Sequence, residues 1–280
     1  MYFFNKFTAV FLTIVLVIFV NTWVFRTVNN YARSTALILE IFPLTPFKPL
    51  SKVTKEPKKV EVNIPSRNIQ LSTDIWIPGD YSEGKKYPVL ILSPGVNLPK
   101  DDERISSIIQ GMARSGFVVS ASSMPELIDS RYLNYSVEDF VNVYSFLENL
   151  PYVDKDKMGF AGFCLGSSLA LLASSDASIN EKVAFVSVND VLYDMYTFTR
   201  DAVTEKINDA EPEIPWTPMD EVRKILFTEY TDYIKNKTDA KIVYDSLFNR
   251  QELGQKQKSQ LSKEAIIFYD FLSNKDPDKS

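Results

Sequence analysis

The sequence predicts an α/β fold with a doubly wound, mostly parallel sheet and a helical cap region. Between residues 60 and 189, short apolar runs typical of strands alternate with segments of helical periodicity, and this alternation is characteristic of parallel βαβ units. The runs 87–92 and 157–161 are apolar almost throughout, as expected of strands buried on both faces. After Asn189 the chain becomes polar with scattered aromatic residues, which indicates helices packed over the sheet.

Composition narrows the classes of function. The chain has 280 residues, enough for one large domain or two small ones with a sizeable core. Apolar residues make up 45% and charged residues 24%, which argues against global disorder. The net charge of -5 gives no reason to expect nucleic acid as a partner. With one cysteine and no histidine, the chain offers no internal disulfide, His-ligated metal or His general base. We predict no metal and no cofactor.

The amino-terminal segment 1–26 is predicted to be a single-pass membrane anchor. The run 7–25 carries no charge and is flanked by Lys6 and Arg26, and a helix over it would nearly span a hydrocarbon core of roughly 30 Å. Trp23 suits the membrane interface. A buried core helix is the alternative interpretation. The membrane is therefore an expected partner through residues 7–25, and the side on which the rest of the chain lies is undetermined.

Three further segments follow the anchor. Residues 27–59 contain four prolines among several lysines, which predicts a juxtamembrane segment and a semi-rigid linker. Residues 60–189 form the predicted α/β core, and residues 190–280 form the predicted helical cap or insertion.

The core elements follow in order along the chain. The runs 60–64 and 69–77 predict an antiparallel hairpin with its turn near Pro65 and Ser66. The strand 87–92 comes next, and the spacing of isoleucines over 101–115 predicts a helix. The remaining predicted elements are the strand 117–119, the helix 137–150, the strand 157–161, the helix 165–173, the strand 183–188 and, in the cap, the helices 219–235 and 262–272.

The most informative motif is Gly162-x-Cys164-x-Gly166, which stands between a predicted strand and a predicted helix. A nucleophile at such a sharp turn needs small residues two positions away on either side. The amino end of the helix that follows favours a thiolate and a developing oxyanion. The alternative is a small buried cysteine at a glycine-rich turn. A dinucleotide fingerprint and a Walker lysine are both absent from the sequence.

A second oxyanion donor is expected from the end of an earlier strand. The segment 92–97 ends the strand 87–92, and the N–H groups of Val96 and Leu165 are the predicted donor pair. A plain turn at Ser93-Pro94-Gly95 is the alternative. In the cap, Tyr193, Tyr196 and Phe198 are predicted to be core residues, with a substrate pocket as the alternative.

These pieces resemble the α/β-hydrolase superfamily, and most closely its dienelactone-hydrolase-like branch. The resemblance covers about residues 60–190 and a helical region where such proteins often carry a cap. Its matching stretches are 88–95, 112–119, 147–151 and 153–166. The resemblance implies a hydrolase in which Cys164 attacks the carbonyl of a small-molecule ester or lactone, with an acyl-enzyme and a tetrahedral oxyanion as intermediates.

The chain departs from the family's triad, which runs in the order nucleophile, acid, histidine. It contains no histidine. Asp190 directly follows the predicted strand 183–188 and is the positional candidate for the acid, with a helix cap or a loop residue as the alternative. Asp194 is a weaker candidate of the same kind.

Three accounts of this departure remain. In the first, which the ending favours, the chain is a fragment that lacks two further strands with the acid and the histidine behind them. In the second, it is a catalytically inactive, hydrolase-like binding or scaffold domain. In the third, Cys164 reacts without histidine, and water or a carboxylic acid such as Glu126 or Asp190 supplies the proton for the leaving group.

Overall fold

A computed structural model describes residues 20, 22, 24, 27–29, 31–42, 45–129, 131 and 136–273. Its centre is a mixed six-stranded sheet with the strand order β1-β2-β4-β3-β5-β6. The strands are β1 (Lys58–Ser66), β2 (Ile69–Ile77), β3 (Tyr87–Ser93), β4 (Val118–Ser122), β5 (Val153–Phe163) and β6 (Phe185–Asn189).

The sheet combines an antiparallel hairpin with four parallel strands. Strand β1 pairs with β2, and β2 pairs with β4, in both cases antiparallel. Strands β4, β3, β5 and β6 are parallel to one another. Because parallel strands end at the same edge of a sheet, the residues after β3, β5 and β6 come together there. The predicted elbow follows β5 and therefore lies at this edge.

Helices cover both faces of the sheet, as a doubly wound fold requires. Those of the core are α1 (Pro49–Val53), α2 (Glu103–Arg114), α3 (Pro125–Ile128), α4 (Ser136–Glu148) and α5 (Leu165–Ser174). Helices α4 and α5 pack on one face, and α2 packs on the other. Strand β3 serves both faces because its side chains alternate: Val89 and Ile91 join the α4–α5 side, while Leu90 and Leu92 join the α2 side.

The chain after β6 forms a helical region with a separate apolar core. Its elements are α6 (Met195–Thr204), the short strands β7 (Lys206–Ile207) and β8 (Ile214–Pro215), α7 (Asp220–Thr231), α8 (Lys237–Phe248), α9 (Gln255–Lys258) and α10 (Lys263–Leu272). Leu226, Val243 and Ala265 are buried in that core. Ile225 on α7 instead joins the core beside the sheet, so this region packs against the α/β layers.

The predicted transmembrane helix is wrong on the evidence of the structure. Within the described ranges, no helix has both the length and the apolarity to cross a bilayer. Most of the run 7–25 lies outside the described residues. The helical residues 31–41 carry charge and dock on the core: the Glu40 carboxylate accepts hydrogen bonds from the N–H groups of Leu50 and Ser51 at the start of α1, and it lies 3.9 Å from the Arg114 guanidinium.

Candidate active site

Cys164 occupies the turn between β5 and α5 in a backbone conformation that L-amino acids rarely adopt. Its φ is 53° and its ψ is −134°, a region that costs on the order of 1–3 kcal/mol for a residue with a Cβ. Two hydrogen bonds hold it there: the Cys164 N–H donates to the Asn189 carbonyl at 3.0 Å, and the Ser167 N–H donates to the Cys164 carbonyl at 2.9 Å. The thiol is free and exposed. The turn therefore presents a sulfhydryl at the carboxyl edge of the sheet.

The two glycines of the motif meet the steric demand that the sequence predicts. A Cβ on Gly162 would lie 2.7 Å from the Ser167 Cα, and a Cβ on Gly166 would lie 2.2 Å from the Pro94 carbonyl oxygen. Both distances are shorter than van der Waals contact. The turn can close against α5 and against the end of β3 only because both positions lack a side chain.

The loop after β3, residues 94–101, passes directly beside Cys164. A Cβ built on Gly95 would lie 3.1 Å from the Cys164 Cβ, so Val96 follows a residue in contact with the elbow. Asn97 has a φ of 55°, and its N–H donates to the Leu127 carbonyl at 2.9 Å. We call residues 94–101 the β3 loop.

The N–H groups of Val96 and Leu165 are the predicted oxyanion donors. Across the part of the chain that the structure describes, neither group donates a hydrogen bond. Leu165 is the first residue of α5, where the N–H groups have no partner within the helix and carry the positive end of the helix dipole. Leu165 directly follows Cys164 in the chain, and Val96 directly follows Gly95, which approaches Cys164 closely.

The two serines next to the elbow, Ser167 and Ser168, bind the backbone of the chain after β6. Ser167 Oγ donates to the Asn189 carbonyl at 2.5 Å and accepts from the Asn189 N–H at 3.0 Å. Ser168 Oγ accepts from the Leu192 N–H at 2.9 Å. Both hydroxyls are occupied by backbone groups, so they fasten the chain after β6 to α5.

Asp190 lies close to the elbow, and Asp194 has another role. Asp190 follows β6, is exposed and has a φ of 58°; its neighbour Asn189 accepts the Cys164 N–H. Asp194 caps α6, because its carboxylate accepts from the Tyr196 N–H and the Thr197 hydroxyl. The hydrogen bond from Thr197, followed by that from Tyr196, lowers the pKa of Asp194.

Glu126 takes part in a buried ion-pair network beside the site. Its Oε1 lies 3.1 Å from the Arg67 guanidinium, which also donates to the fully buried Asp139. Its other oxygen is buried and, among the described residues, has no hydrogen-bond partner. Glu126 precedes Leu127 on α3, whose carbonyl holds Asn97 of the β3 loop. Glu126 therefore belongs to the ion-pair network that lies next to the β3 loop.

A cleft of about 310 Å³ lies between α5 and the chain after β6, and Cys164 is not among the residues that line it. Its lining is mostly apolar and comprises Ser168, Leu171, Leu172, Val191, Leu192, Tyr193 and Met195. Tyr193 is 97% exposed and Tyr196 is 64% exposed, so the prediction that both are core residues is wrong. Phe198, by contrast, packs against Trp216 with ring centroids 6.2 Å apart.

Sequence reasoning missed the residues that fasten the β3 loop. Lys100 at its far end donates to Asp74 on β2 at 2.7 Å, and Asp74 is almost fully buried. The only available signal was the pair of acids, Glu61 and Asp74, on the two predicted strands of one hairpin.

Comparisons with known proteins give partial matches. Residues 135–259 match a family model described as "BAAT / Acyl-CoA thioester hydrolase C terminal". The uncharacterized protein YcjY of Escherichia coli (strain K12) is 28% identical over 109 residues, which are 35% of this chain and 34% of that protein. The chain thus spans about a third of this curated relative.

Two solved structures match parts of the chain. A dienelactone hydrolase from Anabaena variabilis ATCC 29413 matches with a TM-score of 0.39 and 17% identity, over 48% of this chain and 63% of that chain. A hypothetical protein, PA2218, from Pseudomonas aeruginosa matches with a TM-score of 0.45 and 18% identity, over 85% of this chain and 68% of that chain.

Proposed function

We propose that this chain, an α/β-hydrolase-like protein that resembles the dienelactone-hydrolase-like branch, hydrolyses a carboxylic ester or lactone with Cys164 as the nucleophile. One observation carries the proposal: Cys164 adopts a φ of 53° at a strand-to-helix turn and exposes its thiol at the edge of the sheet. Strain of this kind persists where the surroundings enforce it, and it is concentrated at functional sites.

The proposed reaction needs few groups. The Cys164 thiolate attacks the ester carbonyl carbon, a C–S bond forms, and the carbonyl oxygen becomes an oxyanion that accepts hydrogen bonds from the Val96 and Leu165 N–H groups. Collapse of this intermediate breaks the C–O bond, and the leaving alkoxide takes a proton from water, which leaves a hydroxide. Hydroxide then attacks the thioester carbonyl, and cleavage of the C–S bond releases the carboxylic acid and restores the thiolate.

Support for the oxyanion donors comes from the absence of a hydrogen-bond acceptor for either N–H among the described residues and from the close approach of the Gly95 backbone to Cys164. Asp190 is a weaker proposal for the acid that orients a water or receives a proton. It is supported by its place next to Asn189, which binds the Cys164 N–H. Its exposure to solvent is compatible with exchange of that proton.

One specific alternative exists for the class of substrate. The family model that matches residues 135–259 is described by acyl-CoA thioester hydrolysis, and attack of a thiolate on a thioester has the same geometry as attack on an ester. A thioester is therefore the second substrate class.

A second candidate function is that of a non-catalytic binding or scaffold domain with a hydrolase fold. It is favoured by the complete absence of histidine from the 280 residues, since histidine is the usual general base in such sites. The two candidates differ in whether Cys164 turns over an acyl substrate.

The deciding experiment measures hydrolysis of p-nitrophenyl acetate and of an acetyl thioester by the purified chain. Cys164→Ala and Cys164→Ser are the test variants, and Ser174→Ala on the same helix is the matched control. We expect turnover by the original chain and by Ser174→Ala, and none above the uncatalysed rate by Cys164→Ala. Equal hydrolysis by Cys164→Ala would exclude the cysteine, and no hydrolysis by any of them would favour the binding domain.

A further inference from the structure

We propose that Lys100 is a positioning residue that holds the β3 loop, and with it the Val96 N–H, in place through an ion pair with Asp74. The inference rests on the proposed function, because it assigns a role to Lys100 in that same site. The anchoring itself is a separate physical property of the chain and is tested separately below.

Two acids on neighbouring strands create a place for a cation. Glu61 on β1 stands directly opposite Asp74 on β2 in the antiparallel register, so two carboxylates face each other. Like charges in this relation destabilise a sheet unless a cation neutralises them. Asp74 is 1% exposed, which raises the cost of leaving it without a partner.

Lys100 fills that place with all three of its N–H donors. Its Nζ lies 2.7 Å from Asp74 Oδ1, 2.8 Å from Ser72 Oγ and 3.2 Å from Glu61 Oε1. The Lys100 side chain is only 13% exposed. The interaction therefore differs from an exposed surface ion pair, which contributes little. The hydrogen bond from Ser72, followed by that from Lys100, lowers the pKa of Glu61.

The position of Lys100 in the chain turns this ion pair into an anchor for the loop. The β3 loop leaves the sheet after Ser93, and Asn97 is held by the Leu127 carbonyl. Leu98 packs against the core on the α2 side. Lys100 ties the far end of the loop to the hairpin β1–β2, so Val96 lies between the fixed end of β3 and these three attachments.

The chain offers a matched control for this role. Lys59 also pairs with Asp74, at 2.6 Å from Oδ2, but it lies on β1 and not on the loop. Lys59→Met and Lys100→Met each remove one positive charge from the same carboxylate and leave it the other lysine. Only Lys100→Met also removes an attachment of the β3 loop.

The test compares Lys100→Met, Lys59→Met and Lys100→Arg in the full chain. The readouts are kcat and KM for p-nitrophenyl acetate and hydrogen–deuterium exchange of peptides that cover residues 94–101. We expect Lys100→Met to lower kcat about tenfold or more, since loss of one oxyanion donor costs about 10²–10³ in kcat, with KM changed less than kcat. We expect faster exchange of the β3 loop in the same variant, little change in Lys59→Met, and partial recovery in Lys100→Arg.

Equal effects of Lys100→Met and Lys59→Met on kcat and on exchange would overturn the proposal. If the original chain shows no turnover, the proposed function fails and the exchange readout alone decides the anchoring. Faster exchange in Lys100→Met but not in Lys59→Met then supports the anchor, and equal exchange overturns it. Circular dichroism and the rate of Cys164 alkylation check that each variant is folded, and Lys100→Gln, which also removes the charge, replaces Lys100→Met as the test variant if Lys100→Met does not fold.

Discussion

At the scale of single residues, Cys164 and its two glycines account for the shape of the elbow. The strained φ of Cys164 is maintained by hydrogen bonds to Asn189 and Ser167 and by the close approach of Gly166 to the end of β3. The sequence spacing of the glycines predicted this arrangement, because a tight turn has a local steric requirement that local sequence can express. The partners of the turn, by contrast, come from β3 and β6 and depend on tertiary structure.

Gly166→Ala tests the steric part of this account. The new Cβ would meet the Pro94 carbonyl at 2.2 Å and the Ser93 carbonyl at 2.6 Å, and both are backbone atoms that cannot move aside easily. We expect the free energy of unfolding to fall by about 1–3 kcal/mol or more. Urea denaturation measures it.

Gly254→Ala is the control for that experiment. Gly254 is exposed and has a φ of −66°, and its nearest neighbour to a new Cβ is the Gln257 side-chain oxygen at 3.6 Å. We expect a change of less than about 1 kcal/mol. Equal stabilities of Gly166→Ala and Gly254→Ala would contradict the claim that only glycine fits at the elbow.

Asp102 provides a prediction of pH dependence. It caps α2 by accepting from the Arg104 N–H, and hydrogen bonds from the Arg104 side chain and N–H lower its pKa to about 2. Because the folded-state pKa lies below the unfolded value of about 3.9, the carboxylate stabilises the fold above that value. Its contribution is lost as the pH falls towards about 2.

The variant Asp102→Asn isolates this contribution, since asparagine also caps helices but does not titrate. We expect the original chain to be the more stable of the two at about pH 5 and the difference to shrink as the pH approaches about 2. Urea denaturation across this range measures the difference. A difference that stays constant with pH would show that the charge of Asp102 does not contribute.

At the scale of elements, the ion-pair network of Arg67 joins three segments beside the site. Arg67 lies in the β1–β2 turn, Asp139 lies on α4 and Glu126 lies on α3. Asp139 is fully buried and also accepts from the Ser66 hydroxyl at 2.5 Å. The hydrogen bond to Asp139 is the main reason that the pKa of Arg67 is raised.

Asp139→Ala tests whether this network stabilises the fold. Removal of the carboxylate takes away the main partner of Arg67 and leaves the Ser66 hydroxyl without its acceptor. We expect a loss of about 3 kcal/mol in the free energy of unfolding, as for other broken buried pairs. Lys241→Ala on α8 removes an exposed pair with Asp245 and should cost about 0.5 kcal/mol or less. Equal losses in the two variants would argue against a stabilising network.

The sequence predicted the elements better than their ends. Strand β5 begins at Val153 and not at residue 157, because Val153 pairs with Tyr87 on the neighbouring strand. The charged residues 154–157 are part of the strand although most of them are exposed. The predicted helix 219–235 ends at Thr231. Asn236 then caps α8 through its side chain. Asparagine is a common helix cap, but the prediction followed the apolar periodicity and did not use this local signal.

At the scale of the whole molecule, the strand order and the family-model match over residues 135–259 agree with the predicted resemblance to the α/β-hydrolase superfamily. Alternation of apolar runs with helical periodicity was sufficient to predict these layers. The supports of the site were not predictable, since Lys100 and Asp74 are separated by 26 residues and meet only in the folded sheet. The exposure of Tyr193 was unpredictable for the same reason, because burial depends on which elements cover a position.

If Cys164 is the nucleophile, it becomes acylated during turnover, and the mass of the intact chain shows this. The chain is mixed briefly with p-nitrophenyl acetate, the reaction is stopped with acid, and the mass is measured. The chain contains a single cysteine, so a thioester adduct has one possible site, and its removal by hydroxylamine at neutral pH identifies it. We expect a transient increase in mass by one acetyl group in the original chain and none in Cys164→Ala. An identical adduct on Cys164→Ala, or no adduct while p-nitrophenol is still released, would contradict it.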